Sequence, residues 1–350
     1  MGLYAAAALI SLASAFGVGA TRAAAPPPPP VAPRAPAQQQ QQQQQPSSWD
    51  QPPPPPPARA PRGLVPHQPQ LWSAWPHARR LPSVCVVVRT FQGQRASLLP
   101  LVSSLAAGRP PAGLRLVLTD TDRKTPFVAL PELAALLSEA VFGDNTSVVA
   151  TARTSAGARR EFEPWDGEDY GYVLTDLVLE DLLEERALAR AAGVADEAQL
   201  PCHYIVVTNG DNLYHQQFFA AVLERAVADD ADVVATHFVS HYDWPGVTAG
   251  VPAWENVLLR GACGTWRGGR DTEVATALRP SCIDLGAAVF KAAVLEGPKG
   301  ARFLVDRLRA DPTGASATRL FDSDGQYFLR LSTQPGIATA IVRRTLLVHQ

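Results

Sequence analysis

Along this chain, unbroken apolar runs alternate with stretches whose apolar residues recur every three or four positions. The run Ser83–Val88 is apolar without alternation, which is typical of a strand buried on both faces. The same pattern and its boundaries predict strands at 83–88, 114–118, 147–152, 204–208, 232–237 and 341–348. The helical spacing predicts helices at 96–107, 130–142, 172–192, 216–228 and 301–309, and a further helical run that ends at residue 331.

Strands that alternate with helices predict an α/β domain with a mostly parallel sheet and flanking helices. Polar side chains follow three of the strands: Arg89 and Thr90, Asp120 and Asp122, and Asn209 and Asp211. Because parallel strands point their carboxyl ends to one edge of the sheet, we expect these side chains to meet in one cleft.

Composition changes sharply near residue 81. Residues 26–80 hold proline and glutamine runs that favour coil and offer little to bury, so they predict a disordered tether before a folded domain at 81–350. The net charge is −2, and no basic stripe is present. A nucleic acid is therefore not an expected partner.

The first 25 residues are rich in Ala and other small apolar residues, with Ala23–Ala25 as a processing site. They predict a signal peptide or a signal anchor, and so entry into the secretory pathway (Golgi or ER lumen), with the protein membrane-anchored or secreted. An organelle transit peptide and plain low-complexity Ala are the alternatives. A glycosylation sequon at Asn145 agrees with a lumenal location.

Four cysteines do not amount to a disulfide scaffold. Cys85 falls within the first predicted strand and is expected to be a buried thiol. Cys263 and Cys282 flank a loop rich in Gly and Arg, and an oxidising lumen would allow them to form a disulfide.

The segment Tyr204–Asn212 is a β-branched run that ends in a polar turn. The turn places the amide oxygen of Asn209 and the carboxylate of Asp211 two residues apart. Oxygen ligands of this kind suit a hard divalent cation that also binds phosphates, so the turn predicts a site for a nucleotide diphosphate. His349 ends a late strand and is a candidate third ligand. A simple Asn-Gly hairpin turn is the alternative.

Asp120 and Asp122 are candidate acceptors for a nucleotide base or ribose, and solvated loop acids or a helix N-cap are the alternatives. Arg89 and Thr90 are candidate nucleotide contacts at the end of the first strand. Asp176, near the start of a long helix, faces either the cleft or solvent.

A second carboxylate pair, Asp322 and Asp324, precedes the last helical run. A general base must reach an acceptor hydroxyl from a segment that frames the cleft, and Asp324 is the preferred candidate, with Asp322 second. Ordinary helix capping is the alternative.

Three of these segments resemble glycosyltransferases of the GT-A fold, family-2-like. They are Ser83-Val-Cys-Val-Val-Val-Arg-Thr-Phe, Thr208-Asn-Gly-Asp-Asn-Leu-Tyr and Ile283-Asp-Leu-Gly-Ala, and the resemblance spans residues 82–331. It implies a Rossmann-like nucleotide-binding half and an ion, Mn²⁺ or Mg²⁺, held by Asp211. Asn209 stands where the family's Asp-x-Asp motif has its first acid.

The same resemblance implies that Asp120 contacts the base, that Asp284 and Gly286 line the sugar-donor pocket, and that Asp324 is the catalytic base. The implied activity moves a sugar from a nucleotide-sugar donor to a hydroxyl of a glycan, protein or lipid acceptor, with inversion and cation assistance. A nucleotidyltransferase and a non-catalytic carbohydrate-binding relative are the alternatives, the latter because of Asn209.

Overall fold

The sheet is centred on strand β1 (Val84–Thr90), all of whose residues are buried. β1 pairs in parallel with β2 (Leu114–Asp120) on one side and with β4 (Tyr204–Asn209) on the other. β3 (Thr146–Ala150) continues the sheet beyond β2, again in parallel. The apolar runs of β1, β2 and β4 therefore form strands covered on both faces, as predicted, whereas β3 is only partly buried.

The computed structural model describes residues 82–110, 112–122, 146–163, 169–241, 265–268, 271–280, 282–296, 300–311 and 323–349. Outside these segments lie the leader and tether (1–80), the predicted helix 130–142, the sequon at Asn145, Cys263 and Asp322. No helix within the segments is long and apolar enough to cross a membrane.

The second half of the sheet runs in both directions. β9 (Ala288–Lys291) lies antiparallel between β4 and β6 (Val233–Ser240). β10 (Thr339–His349) is parallel to β6, and the two-residue β5 (Leu213–Tyr214) is antiparallel to the end of β10. The expected mostly parallel sheet is therefore corrected to a mixed one, because an apolar run reports burial but not strand direction.

A short hairpin extends β6 on the side of β9. It consists of β7 (Thr265–Gly268) and β8 (Asp271–Val274), and β8 pairs antiparallel with β6. The order of the main path is β3-β2-β1-β4-β9-β6-β10-β5.

Helices flank the sheet. They are α1 (Arg95–Ala107), α2 (Ser155–Arg160), α3 (Tyr172–Ala191), α4 (Phe218–Ala228), α5 (Val305–Ala310) and α6 (Ser323–Ser332). Short 3₁₀ turns cover Gln92–Gln94, Glu197–Gln199, Leu285–Ala287 and Ala292–Leu295. The predicted helices in the described segments are confirmed, although the fifth begins at Val305 rather than at residue 301. The first turn of α2 is fixed by the Thr154 hydroxyl, which accepts from the backbone N–H of Gly157 at 3.0 Å.

Buried aromatic rings join α6 to the sheet. Tyr327 stacks on Phe303 with ring centroids 4.0 Å apart, and Tyr327 and Phe328 both contact Phe290 of β9. The Tyr172 ring of α3 lies 5.4 Å from Phe303. Because aromatic pairs contribute beyond their buried area, this group fixes the position of α6 relative to α3 and β9.

A disulfide joins Cys85 in β1 to Cys202, just before β4. The expectation that Cys85 is a thiol was wrong, because the parallel register of β1 with β4 brings the two cysteines together across 117 residues of sequence. Closing so long a loop restricts the unfolded chain and so stabilises the fold. Cys282 is buried, and its predicted pairing with Cys263 stays a prediction, since Cys263 lies outside the described segments.

A buried charge network ties α3 to the segments beside β4 and β9. The guanidinium of Arg186 is fully buried and donates to Glu296 at 2.7 Å, to Glu197 at 2.8 Å and to the Pro201 carbonyl at 2.9 Å. Arg190, which is partly exposed, bridges the same two glutamates at 2.7 Å each.

We expect Arg186→Ala to lower the free energy of unfolding by about 3 kcal/mol, because it leaves a cavity and removes the buried half of the network. Arg190→Ala, which keeps Arg186, should cost about 1 kcal/mol or less because the Arg190 side chain is solvent-screened. Urea unfolding of the two variants checks this difference. Equal losses would show that burial of Arg186 adds nothing.

Candidate functional site

The polar strand ends meet at one edge of the sheet, as predicted. In the parallel register, Arg89 lies opposite Asn209 of β4 and Thr119 of β2, and Thr90 lies opposite Asp120. Residues that are far apart in sequence thus become neighbours at the carboxyl ends of β1, β2 and β4, where open α/β sheets bind ligands.

The turn after β4 approaches β1 closely. A Cβ atom at Gly210 would lie 2.6 Å from the Thr90 hydroxyl oxygen, so the chain needs glycine here. The Asn212 N–H donates to the Asn209 carbonyl at 3.3 Å and closes the turn. The following β5 pairs with β10 rather than with β4, so this Asn-Gly turn does not form a β4–β5 hairpin.

Asp211 is half-buried in this turn. Its Oδ1 atom is buried and has no hydrogen-bond partner. Burial raises the pKa of the Asp211 carboxyl, and a hydrogen bond from Gln94 and the nearby His349 act against that shift. The carboxylate therefore presents an oxygen for which the described residues supply no partner.

Asp284 connects the β4 turn to the end of β10. Its Oδ1 accepts from the Gly286 N–H at 2.8 Å and from Asn212 Nδ2 at 3.3 Å. Its Oδ2 lies 3.6 Å from Nε2 of His349, whose Nδ1 lies 3.4 Å from the Ser240 hydroxyl. Asp211, Asp284 and His349 thus form one electrostatic group, although they come from three distant parts of the sequence.

Gly286 packs tightly against side chains of the turn after β4 and of the end of β4. A Cβ atom there would lie 2.6 Å from the Tyr214 hydroxyl oxygen, 2.8 Å from Oγ1 of Thr208 and 2.9 Å from Nδ2 of Asn212. The Tyr214 hydroxyl donates to the Gly286 carbonyl at 3.0 Å. Thr208, Asn212 and Tyr214 were not predicted as site residues, although all three belong to the segment that resembles the motif of the family.

The end of β1 carries two more polar groups without partners. The buried Arg89 donates to the Tyr170 carbonyl, and its guanidinium lies 4.3 Å from the centre of the Tyr172 ring, but its Nε has no partner. The Thr90 hydroxyl is fully buried and likewise lacks a partner. The Thr90 carbonyl accepts from the Thr121 N–H at 2.7 Å, which fastens the end of β2 to β1.

Asp120 is buried at the end of β2 rather than solvated. It accepts from the Asp122 N–H at 2.9 Å, a local turn that keeps both carboxylates at the strand end. Both predicted residues therefore lie at the candidate edge.

Asp324 lies in the first turn of α6 and accepts a hydrogen bond from the Tyr172 hydroxyl. Burial, with the Asp324 charge second, raises the pKa of Tyr172 well above its usual value, so the hydroxyl stays a donor. The chain of contacts from Arg89 through Tyr172 to Asp324 connects α6 with the end of β1. Asp322 lies outside the described segments.

Asp176 does not face the cleft or solvent. Its carboxylate is fully buried and accepts from the N–H groups of Phe303, Leu304 and Val305 at 2.8, 2.7 and 2.9 Å. Burial raises the pKa of Asp176 to about 6, against the effect of these three donors. The prediction that Asp176 binds the nucleotide is therefore corrected. Its carboxylate accepts the backbone N–H groups at the start of α5.

The donors near Asp211 partly fit a divalent cation. No group of three or more His, Cys, Asp or Glu side chains with metal-binding geometry occurs in the described segments. However, Mg²⁺-type ions that arrive with phosphates use only one or two carboxylates from the protein. The Oδ1 of Asp211, which has no partner among the described residues, is an oxygen ligand of the required kind, whereas the nearby His349 offers a nitrogen.

No family model and no curated protein matches this chain. Among solved structures, the chain is similar to TarS of S. aureus. It matches TarS 1–349 at 10% identity and a TM-score of 0.39, over 76% of this chain and 60% of that one, and TarS 1–349 with UDP gives the same values. Full TarS matches at 11% identity and a TM-score of 0.40, over 77% of this chain and 36% of that one. The chain thus spans about three fifths of the TarS fragment. Similarity this low transfers no activity.

We expect Gly286→Ala to destabilise the protein by roughly 1–3 kcal/mol, because the added methyl group overpacks a site with no room to relax. Tyr214→Phe removes the nearest atom and should partly rescue the alanine variant. A double-mutant cycle measured by thermal unfolding checks the coupling. Strictly additive effects of the two substitutions would contradict it.

The raised pKa of Asp176 predicts a pH dependence of stability. The native carboxyl binds its proton more tightly than the unfolded one, so its contribution is full below pH 3.8 and is lost as the pH rises through about 6. As the pH rises over this window, the free energy of unfolding of the wild type should fall by about 3 kcal/mol relative to that of Asp176→Asn. Urea titrations at several pH values measure it, and parallel pH profiles would contradict it.

Proposed function

We propose that this protein is a GT-A-type glycosyltransferase that uses a nucleotide-sugar donor. One observation carries the proposal: buried polar atoms without partners are grouped at the ends of β1 and β4. They are Arg89 Nε, Thr90 Oγ1, Asp211 Oδ1 and Asn212 Oδ1. Buried polar groups are nearly always hydrogen-bonded, so this set of donors and acceptors is consistent with a polar ligand that completes it.

The nucleoside end of the donor is assigned to the end of β2. Buried Asp120 offers a carboxylate acceptor for a base N–H or a ribose hydroxyl, with Asp122 beside it. Arg89 and Thr90 lie next to them on β1, opposite Thr119 and Asp120, and are placed to hold the link to the diphosphate.

The diphosphate end is assigned to the turn after β4. Asp211 and His349 would hold Mn²⁺ or Mg²⁺, with Asn209 as a further oxygen ligand in the same turn. Bound there, the ion would neutralise negative charge on the leaving diphosphate. Asp284 keeps His349 and Asn212 in place, and Gly286 keeps the wall of the sugar pocket close to β4.

Asp324 is assigned as the general base. It would accept the proton of an acceptor hydroxyl while the Tyr172 hydroxyl holds the carboxylate in position. Attack by that oxygen on the face of the sugar opposite the diphosphate inverts the anomeric centre. The acceptor is a hydroxyl of a glycan, protein or lipid.

The secretory pathway is the proposed location. The Cys85–Cys202 disulfide supports it, because structural disulfides persist in oxidising compartments. The predicted leader would bring the protein there as a secreted or membrane-anchored form.

We expect the protein to release a nucleoside diphosphate from a nucleotide sugar in the presence of Mn²⁺. Asp324→Asn should lower kcat about 10²–10⁴-fold with donor binding retained, because it removes the base. Asp211→Asn should weaken Mn²⁺-dependent donor binding about tenfold or more. Chromatography of the nucleotide products and calorimetric titration with the donor measure the two effects.

Asp230→Asn is the matched control, because this exposed carboxylate pairs only with Lys291 among the ion pairs of the described segments. It should leave both quantities unchanged. Pyrophosphate as the product would instead identify a nucleotidyltransferase. Carbohydrate binding without any turnover would identify a non-catalytic relative.

A further inference from the structure

A second group of buried polar atoms without partners lies away from the strand ends, around the start of α5. Arg302, Arg307 and Arg330 each have a buried Nε that makes no hydrogen bond to any residue that the structure describes. Their other nitrogens bond to backbone carbonyls: Arg302 Nη1 to Leu295 at 3.1 Å, Arg307 Nη2 to Phe303 at 2.9 Å and Arg330 Nη2 to Arg302 at 2.7 Å.

Positive charge is in excess in this group. Arg302 Nε lies 3.6 Å from Glu180, but Glu180 also binds Arg309 at 2.6 Å. Within the described segments, neither Arg307 nor Arg330 forms an ion pair. Burial lowers the pKa of Arg307, and the nearby charge of Arg330 lowers it further.

Two further acids oppose this charge. Asp306 accepts the backbone N–H of Arg302 at 2.9 Å. Asp176 acts electrostatically on Arg307, but its oxygens are already occupied. They accept the N–H groups of Phe303, Leu304 and Val305, so the start of α5 is satisfied from within the protein. The unmet hydrogen-bonding capacity therefore belongs to the arginine side chains and not to the helix terminus.

A buried hydroxyl completes the group. The Tyr327 side chain is fully buried, its hydroxyl has no partner, and its ring stacks on Phe303. The guanidinium groups of Arg330 and Arg307 donate to the carbonyls of Arg302 and Phe303, next to the ring on which Tyr327 stacks.

We propose that Arg302, Arg307, Arg330 and Tyr327, the arginine cluster, form a binding site for a phosphate or sulfate group. A guanidinium offers parallel N–H donors that match two oxygens of such an anion, and the Tyr327 hydroxyl adds a further donor. A bound anion would also neutralise the repulsion between Arg307 and Arg330. The proposal does not depend on the activity assigned to the strand ends.

Two sources of the anion share this chemistry. Free inorganic phosphate or sulfate is one. The other is an ester on a larger ligand, since Arg330 lies six residues after Asp324 in α6, roughly 9 Å along the helix axis. A phosphate- or sulfate-bearing acceptor would then reach both groups.

The test is a titration of the full chain with sodium phosphate against sodium chloride at matched ionic strength, followed by thermal unfolding. We expect a saturable rise in Tm for the wild type at low millimolar phosphate. Arg307→Gln and Arg330→Gln should weaken the apparent affinity about tenfold or more, because each removes charge-assisted hydrogen bonds. In chloride alone, Arg307→Gln should keep or raise Tm, because it relieves burial and repulsion of a cation.

Arg225→Gln is the matched control, since Arg225 is an exposed arginine of α4 that pairs with Asp229 and not with any acid beside the arginine cluster. It should leave the phosphate response unchanged. Tyr327→Phe should weaken the response a few-fold without lowering Tm in chloride, because it deletes a buried hydroxyl that has no partner.

Glucose 6-phosphate and glucose 6-sulfate, with glucose as the blank, identify the source. Tighter binding of an ester than of the inorganic anion assigns the site to a larger ligand, and the reverse order assigns it to the free ion. The proposal is overturned if the wild type shows no saturable response to any of these anions. It is also overturned if Arg307→Gln and Arg330→Gln lower Tm equally in chloride and phosphate, which is the signature of purely structural arginines.

Discussion

The parallel register of β1 with β2 and β4 is the constraint on which the candidate site depends. Because β1 is buried and apolar on both faces, its valines do not by themselves choose the register. The Cys85–Cys202 disulfide and the close contact of Gly210 with Thr90 do. Once it is fixed, Thr90 lies opposite Asp120 and Arg89 lies opposite Asn209. A disulfide at the amino ends of the strands thus helps to determine which polar groups share the edge at their carboxyl ends.

Without a ligand, the polar groups at that edge lower the free energy of unfolding. Each buried polar atom without a partner destabilises the fold by about 1–3 kcal/mol, and several of them lie in Arg89, Thr90, Asp211 and Asn212. The central strands can hold such groups because most of their other residues are buried and apolar. The arginine cluster likewise combines buried polar atoms without partners and well-packed apolar neighbours. There the neighbours are the stacked rings of Phe303 and Tyr327.

The order of apolar runs and helical patterns in the sequence predicts most of the strands and helices of this fold. Parallel pairing of the strands predicts that their polar ends meet at one edge. Strand direction did not follow, because β9 has the same apolar pattern whichever way it runs. The two-residue β5 is too short for any periodicity. Asp176 was expected to face either the cleft or solvent, because the sequence shows only its position in α3. Its actual role is set by the backbone at the start of α5, more than a hundred residues later. The contact of His349 with Asp284 is equally remote in sequence.

The covalent link between Cys85 and Cys202 ties β1 to the start of β4 at the amino ends of the strands, whereas the candidate site occupies their carboxyl ends. The disulfide therefore joins the two strands at the end opposite the candidate site. Recombinant protein made in the cytosol of an ordinary bacterial host would carry two buried thiols in place of this disulfide. Production should therefore use a periplasmic or eukaryotic secretory host, or refolding under a thiol–disulfide buffer.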